Sequence, residues 1–215
     1  FRLVRRLMSE TSIQRLRLSS LEPWDLDADF FDLFDDPRLL PHLHLPLQSG
    51  CNATLERMAR RTTQAEYSSL VEAARRRNPD MAVSSDIIVG FPGETEDEFE
   101  QSIAFVESME FSRLHIFRYS ARQGTRAATM PHQVPGPVAA ERSRRMHELG
   151  AAQEMNFASR FVGRAVPVLW EAAEDFGDTR RWSGLTDHYI RVTTEAPAAT
   201  DLTNRVTPTR IGATI

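Results

Sequence analysis

MAVSSDIIVGFPGETEDEF, residues 81–99, decides how the chain is read. Ile87, Ile88 and Val89 form a β-branched apolar run too short for a helix, which predicts a buried strand. Gly90-Phe91-Pro92-Gly93 ends it in a turn where backbone can come close to a ligand. Thr95 followed three residues on by Glu98 has capping-box spacing, and Phe99, Ile103 and Val106 give the ensuing helix one apolar face. Strand, glycine turn and capped helix make one repeat of an α/β protein, and such folds place ligands at turns of this kind. A plain connection that binds nothing would use the same residues, so the flanking sequence has to decide.

The unit recurs on both sides. Upstream, residues 1–9 read as the end of a helix with Leu3, Val4 and Leu7 on one face, and IQRLRLSS (13–20) alternates as a strand does. Asp25 or Asp27 can cap a short helix that buries Phe30, Phe31 and Phe34. A second strand, 41–47, leads into Gln48-Ser49-Gly50-Cys51, and Asn52 opens a short helix carrying Leu55 and Met58. Thr63 with Glu66 is another capping box, ahead of Tyr67, Leu70, Val71 and Ala74 at helical spacing. Downstream, FSRLHIFRY (111–119) is the fourth strand. Strands and helices alternating at crossover length predict α/β architecture, a parallel sheet with helices outside. From Pro137 a long helix runs to about residue 162. The segments 166–171, 187–194 and 205–211 then predict a small all-β barrel or sandwich. The expected units are a partial barrel over 1–135, a connecting helix over 136–163 and a β-barrel over 164–215.

Composition narrows the chemistry. The chain has 41% apolar and 26% charged residues and a net charge of −4, so it carries no general basic footprint for nucleic acid. All 26 basic residues are arginine, which excludes a lysine nucleophile or Schiff base. One cysteine, Cys51, excludes a disulfide within the chain and any thiolate cluster site built from it alone. No apolar run reaches membrane-spanning length and no signal peptide is visible. The start at Phe1, already inside an amphipathic pattern, suggests the tail of a longer protein.

Polar residues gather where the strands exit: Ser19, Ser20 and Glu22; His44, Gln48 and Ser49; Asp86 and the turn through Glu94; Tyr119, Ser120 and Arg122. In parallel α/β barrels this is the ligand face. His42 and His44 alternate with leucines and should share one strand face; two ligands without a third make a weak metal signal, and histidines satisfied inside a barrel are the plainer expectation. His115 should line the barrel with Phe117 and Tyr119, whereas His132, His147 and His188 read as surface. The acidic run 94–100 reads as a solvated helix N-terminus.

RLRLSSLEPWD (15–25), HLHLPLQSGC (42–51), LERM (55–58) with RR (60–61), DIIVGFPGET (86–95) and HIFRYSARQGT (115–125) together resemble the radical S-adenosylmethionine methylthiotransferases, most closely the branch acting on N6-threonylcarbamoyladenosine in tRNA. The resemblance implies a partial (β/α)6 barrel with residues 13–20, 42–47, 83–89 and 113–119 as its third to sixth strands. It also implies a TRAM domain in the tail, carried by VPVLWE (166–171) and SGLTDHYIRV (183–192). S-adenosylmethionine would lie against Gln48, Ser49, backbone from Ile88 through Gly90 to Phe91, Phe117 and Tyr119. Glu22, His44 and Arg122 are the candidates for its amino, carboxylate and ribose groups. RNA would meet Arg164, Arg180, Arg181, Tyr189, Arg191 and Arg205. The expected protein is cytoplasmic and modifies tRNA at position 37, beside the anticodon. The complete enzyme would generate a 5′-deoxyadenosyl radical at one 4Fe–4S cluster, abstract hydrogen from C2 of the adenosine, and insert sulfur and then methyl.

The family's CxxxCxxC is absent, so the 4Fe–4S clusters belong to the full-length enzyme and this chain alone is expected to be inactive, with the missing amino-terminal part as its partner. From residue 164 onward six arginines face seven acids, a balance that does not itself announce RNA. Isopentenyl-adenosine in tRNA and a ribosomal-protein aspartate remain open as substrates. A non-catalytic RNA- or protein-binding remnant and an unrelated phosphate-binding α/β protein are the readings from other classes. A barrel lacking strands would expose an edge at 13–20, which predicts self-association or poor solubility of the isolated fragment.

Overall fold

Both capping boxes form. Thr63 and Glu66 cap one helix reciprocally and Thr95 and Glu98 another, each side chain bonded to the other's backbone N–H. They begin α3 (Gln64–Arg77) and α4 (Glu96–Met109) of a computed structural model that describes residues 2–213. Phe1, counted in the first helical pattern, lies outside the described residues. The other elements are α1 (Arg2–Glu10), β1 (His42–His44), α2 (Asn52–Arg57), β2 (Ala82–Val89), β3 (Arg113–Arg118), α5 (Gly136–Ser159), β4 (Ala165–Phe176), β5 (Thr179–Thr186), β6 (Arg191–Pro197) and β7 (Val206–Arg210). The segment 28–35 bearing Phe30 and Phe31 is a 3₁₀ helix capped by Asp27.

β2 is the middle strand of a parallel sheet in the order β1-β2-β3. Leu43, Val83, Ile87 and Val89 project from one face into a core completed by Tyr67, Val71, Phe99, Val106 and Met146 of the helices. Gly150 lets α5 lie close along β3, facing Leu114 and Ile116. The class is α/β, a partial barrel with helices outside, followed by a curled antiparallel sheet.

The expected strand at 13–20 is not one. Leu16 makes a single bridge with Leu39, and Leu21 donates to the His44 carbonyl at 3.0 Å. Alternation needs a ladder partner to become a strand, and β1 is three residues long; Ser20, at φ 56°, turns the chain before a ladder can extend. The parallel sheet therefore has three strands where four were predicted.

The tail forms a four-stranded antiparallel sheet, β6-β5-β4-β7. The expected strand at 187–194 is replaced by a hairpin of β5 and β6, and 187–190 form its connection, with Tyr189 at φ 64°. Trp170, Trp182, Val168 and Phe161 form its core, which also takes in Ala82, the first residue of β2. Asp187 bonds Arg15 at 2.7 Å, and Arg160 and Arg164 both reach Asp80. The tail sheet is thus seated at the amino ends of the parallel strands.

Candidate functional site

In-register parallel neighbours point the same way, so His44, Ser84, Asp86, Ile88, His115 and Phe117 share the sheet face opposite the core. His44 is their hub. Its Nε2 lies 3.0 Å from Asp86 Oδ1 and its Nδ1 3.3 Å from Ser20 Oγ. A carboxylate only accepts, so Nε2 carries a proton, and in the neutral ring Nδ1 accepts from the serine hydroxyl. The His115 ring stands edge-on to His44 at 5.6 Å, and burial lowers its pKa. Phe117 is 52% exposed on this face, an unusual position for a large apolar ring. Deeper, His42 bonds Ser84 Oγ at 3.1 Å, and burial beside the Arg17 charge pushes it down to about 3.

At the carboxyl ends, Gln48 adopts φ 77° while its backbone joins the ladder, donating to the Asp86 carbonyl and accepting from Ile88, each at 2.8 Å. Phe91 and Tyr119 meet edge to face at 5.3 Å. Gly90 has φ +74°, but a side chain there would meet Ala139 Cβ of α5 at 2.8 Å. Its lack of a side chain therefore lets α5 pack close at this turn. Glu94, expected in solvent, is buried: Arg142 of α5 donates to its carbonyl at 2.9 Å and its carboxylate at 2.8 Å, and Gly90 N–H to the same oxygen at 2.6 Å. Burial nevertheless pushes the Glu94 carboxyl up.

The strand ends therefore unite His44, Ile88, Phe117, Phe91, Tyr119 and the Gln48 backbone. Other candidates are engaged elsewhere. Glu22 is held by Arg60 at 2.7 Å, and buried Ser49 accepts from the Cys51 amide at 3.2 Å. Arg122 is exposed on the loop after β3. In the tail, Arg164, Arg180 and Arg181 pair with Asp80, Asp175 and Glu195. Tyr189 is not an open stacking platform: Arg17 covers its ring at 3.7 Å and His42 lies 5.0 Å away. Arg191 lines a cleft between α5 and the tail sheet, and Arg205 is exposed. His188, read as surface, stacks on Phe161 at 4.4 Å and is pushed by burial down to about 4.

Residues 1–106 match the model of the Radical SAM superfamily. The match takes in just under half of the chain. Over 172 residues it is 37% identical to a tRNA-2-methylthio-N(6)-dimethylallyladenosine synthase from Ehrlichia canis, covering 80% of this chain and 39% of that protein. A synthase of the same name from Agrobacterium fabrum is 42% identical over 170 residues, covering 79% and 37%. The chain thus spans under two fifths of the length of these relatives. Among solved structures, coproporphyrinogen III oxidase from Escherichia coli, a Radical SAM enzyme, superposes with a TM-score of 0.57 at 14% identity, over 85% of this chain and 50% of that one. That likeness is one of fold.

Radical SAM proteins use S-adenosylmethionine and 4Fe–4S clusters. For the first, the strand ends offer an aromatic rim, half-buried Ile88 and the polar His44–Asp86 pair on one face, a set that fits part of a nucleoside with charged groups. For the second the residues do not fit. Cys51 is buried with Sγ turned to Gln101 of α4 at 3.6 Å, and a cluster takes about four thiolates, or three plus the cofactor.

Sequence reading passed over Arg142 and the part that Arg60 plays. The signal for Arg142 was present: Ala139, Arg142, Met146, Gly150, Gln153 and Phe157 form the buried stripe of α5 at helical spacing. A charged residue inside such a stripe needs a buried partner.

Proposed function

We propose that this chain is the carboxy-terminal part of a tRNA methylthiotransferase that adds a 2-methylthio group to a modified adenosine beside the anticodon. The observation that carries the reading is the single polar and aromatic face at the carboxyl ends of β1, β2 and β3, on a Radical SAM segment whose named relatives make 2-methylthio nucleosides. Those names favour N6-dimethylallyladenosine as the substrate over the threonylcarbamoyl nucleoside that the sequence motifs suggested. In this reading S-adenosylmethionine supplies radical chemistry and the methyl group when bound. Asp86, oriented by His44, presents its second carboxylate oxygen to it, and Phe117 with the Phe91–Tyr119 pair offers aromatic surface for its adenine.

The cluster cysteines would come from the amino-terminal part of the same enzyme, and a tRNA-modifying role implies a cytoplasmic protein. Among the described residues no helix is long and apolar enough to cross a membrane. Nucleoside mass spectrometry of tRNA from wild-type and gene-deleted cells tests the proposal. Loss of 2-methylthio-N6-dimethylallyladenosine supports it; loss of the 2-methylthio threonylcarbamoyl nucleoside moves the substrate to the other branch. An unchanged tRNA profile overturns the tRNA reading. A ribosomal-protein aspartate is then the second reading, favoured by the near-neutral tail with its paired arginines.

A further inference from the structure

Between Glu110 and Glu141 the chain has no acidic residue, yet it holds Arg113, Arg118, Arg122 and Arg126 with His115 and His132. In a chain of net charge −4 this is a concentrated run of positive charge. Arg113 is half-buried at the start of β3. Arg118, Arg122 and Arg126 are exposed at and beyond its carboxyl end, and among the described residues none of the three enters an ion pair. The tail differs, since Arg164, Arg180 and Arg181 are each matched to an acid.

Geometry adds a second observation. Arg126 and His132 line a groove of 430 Å³ against Arg57, Pro92, Gly93 and Met130. The groove abuts the glycine turn, whose Gly93 N–H donates to the His132 carbonyl at 2.9 Å. Exposed Phe117 and half-buried Tyr119 stand at the end of the same strand, whereas Arg118, in register with Val89, leaves the sheet on the opposite face, so the rings meet the arginines only from Arg122 onward. Single-stranded nucleic acid is gripped by this combination, phosphates by arginine and bases by aromatic faces.

We propose that Arg118, Arg122 and Arg126, with the groove at His132, form a phosphodiester-binding strip that holds RNA over the strand ends, a role the resemblance assigned to the tail. This rests on the tRNA reading above. An acidic protein surface is the competing partner, but it has no use for the aromatic rings.

The test titrates the protein carrying this chain, without S-adenosylmethionine, with a fluorescein-labelled anticodon stem–loop RNA at rising KCl. The triple variant Arg118→Ala, Arg122→Ala, Arg126→Ala is compared with the tail variant Arg191→Ala, Arg205→Ala. All five residues lie outside the core, and thermal melting confirms that each variant is folded. The triple variant is expected to bind at least about tenfold more weakly at low salt, with the slope of log K against log salt reduced by about one per arginine. The tail variant should stay within about twofold of wild type. An unaltered triple variant, a loss confined to the tail variant, or equal affinity for an acidic peptide of the same charge overturns the strip. A strip that fails while nucleoside analysis still shows tRNA methylthiolation leaves the enzyme reading standing, so the two failures are separable.

Discussion

Arg142, near the amino end of α5, holds the carboxylate and the carbonyl of Glu94 at once, and both side chains are almost wholly out of water. The pair ties the turn after β2 to a helix that starts more than forty residues later. Breaking one partner strands the other, so Arg142→Ala should cost about 3–5 kcal/mol of unfolding free energy. Pairing Arg142→Met with Glu94→Gln should recover much of that loss, because the charge is removed and the Gly90 bond can persist. Urea unfolding of the single and double variants checks both. A cost under about 1 kcal/mol for the single change would mean that the pair is solvated.

Gly90→Ala should destabilise by about 1–2 kcal/mol through backbone strain alone, with a further cost from crowding against Ala139 Cβ at 2.8 Å. Ala139→Gly should relieve the crowding and leave the strain. Melting temperatures of the two single variants and their combination separate the contributions.

His42 and His188 give the stability a pH dependence of known sign. Their folded pKa values, about 3 and about 4, lie below the ordinary 6.5. The unfolded chain therefore takes up protons first: the contribution is whole above pH 6.5 and drains as pH falls toward those values. Glu94 and Asp187, raised by burial, act in the opposite sense and favour the fold at acid pH. Going from pH 7 to pH 5 should cost about 1–2 kcal/mol for each histidine. His188→Gln should lose correspondingly less over that interval, as read from urea midpoints at the two pH values.

Asp86→Ala removes the acceptor that fixes His44. In the protein carrying this chain it should weaken S-adenosylmethionine binding about tenfold, while Asp86→Asn, able to accept from Nε2–H, should recover part of it. Isothermal titration measures both. Equal binding by all three proteins would remove the His44–Asp86 pair from the site.

What the sequence made legible was what is decided locally. The capping boxes at Thr63 and Thr95 lie within four residues of chain, and the alternation of His42 and His44 with leucines fixed which face they occupy. What it concealed depends on partners distant in sequence. Residues 13–20 alternate like a strand yet find one bridging neighbour. The close approach of α5 to Gly90 depends on Ala139, nearly fifty residues away. Tyr189 had the composition of a stacking surface, but Arg17 already occupies its face. Glu94 sat in an acidic run in which Glu96, Asp97 and Glu100 are exposed, and Arg142 in the buried stripe of α5 distinguished it.

The seat of the tail has a consequence of scale. Tyr189 wedges against His42 where the parallel strands begin, whereas Gln48, Phe91 and Tyr119 stand where they finish. The eight residues of β2 set that separation at about 26 Å. Whatever sits at the strand ends lies that far from the seat of the tail, so a ligand the size of one nucleoside held there leaves the Tyr189–His42 contact untouched.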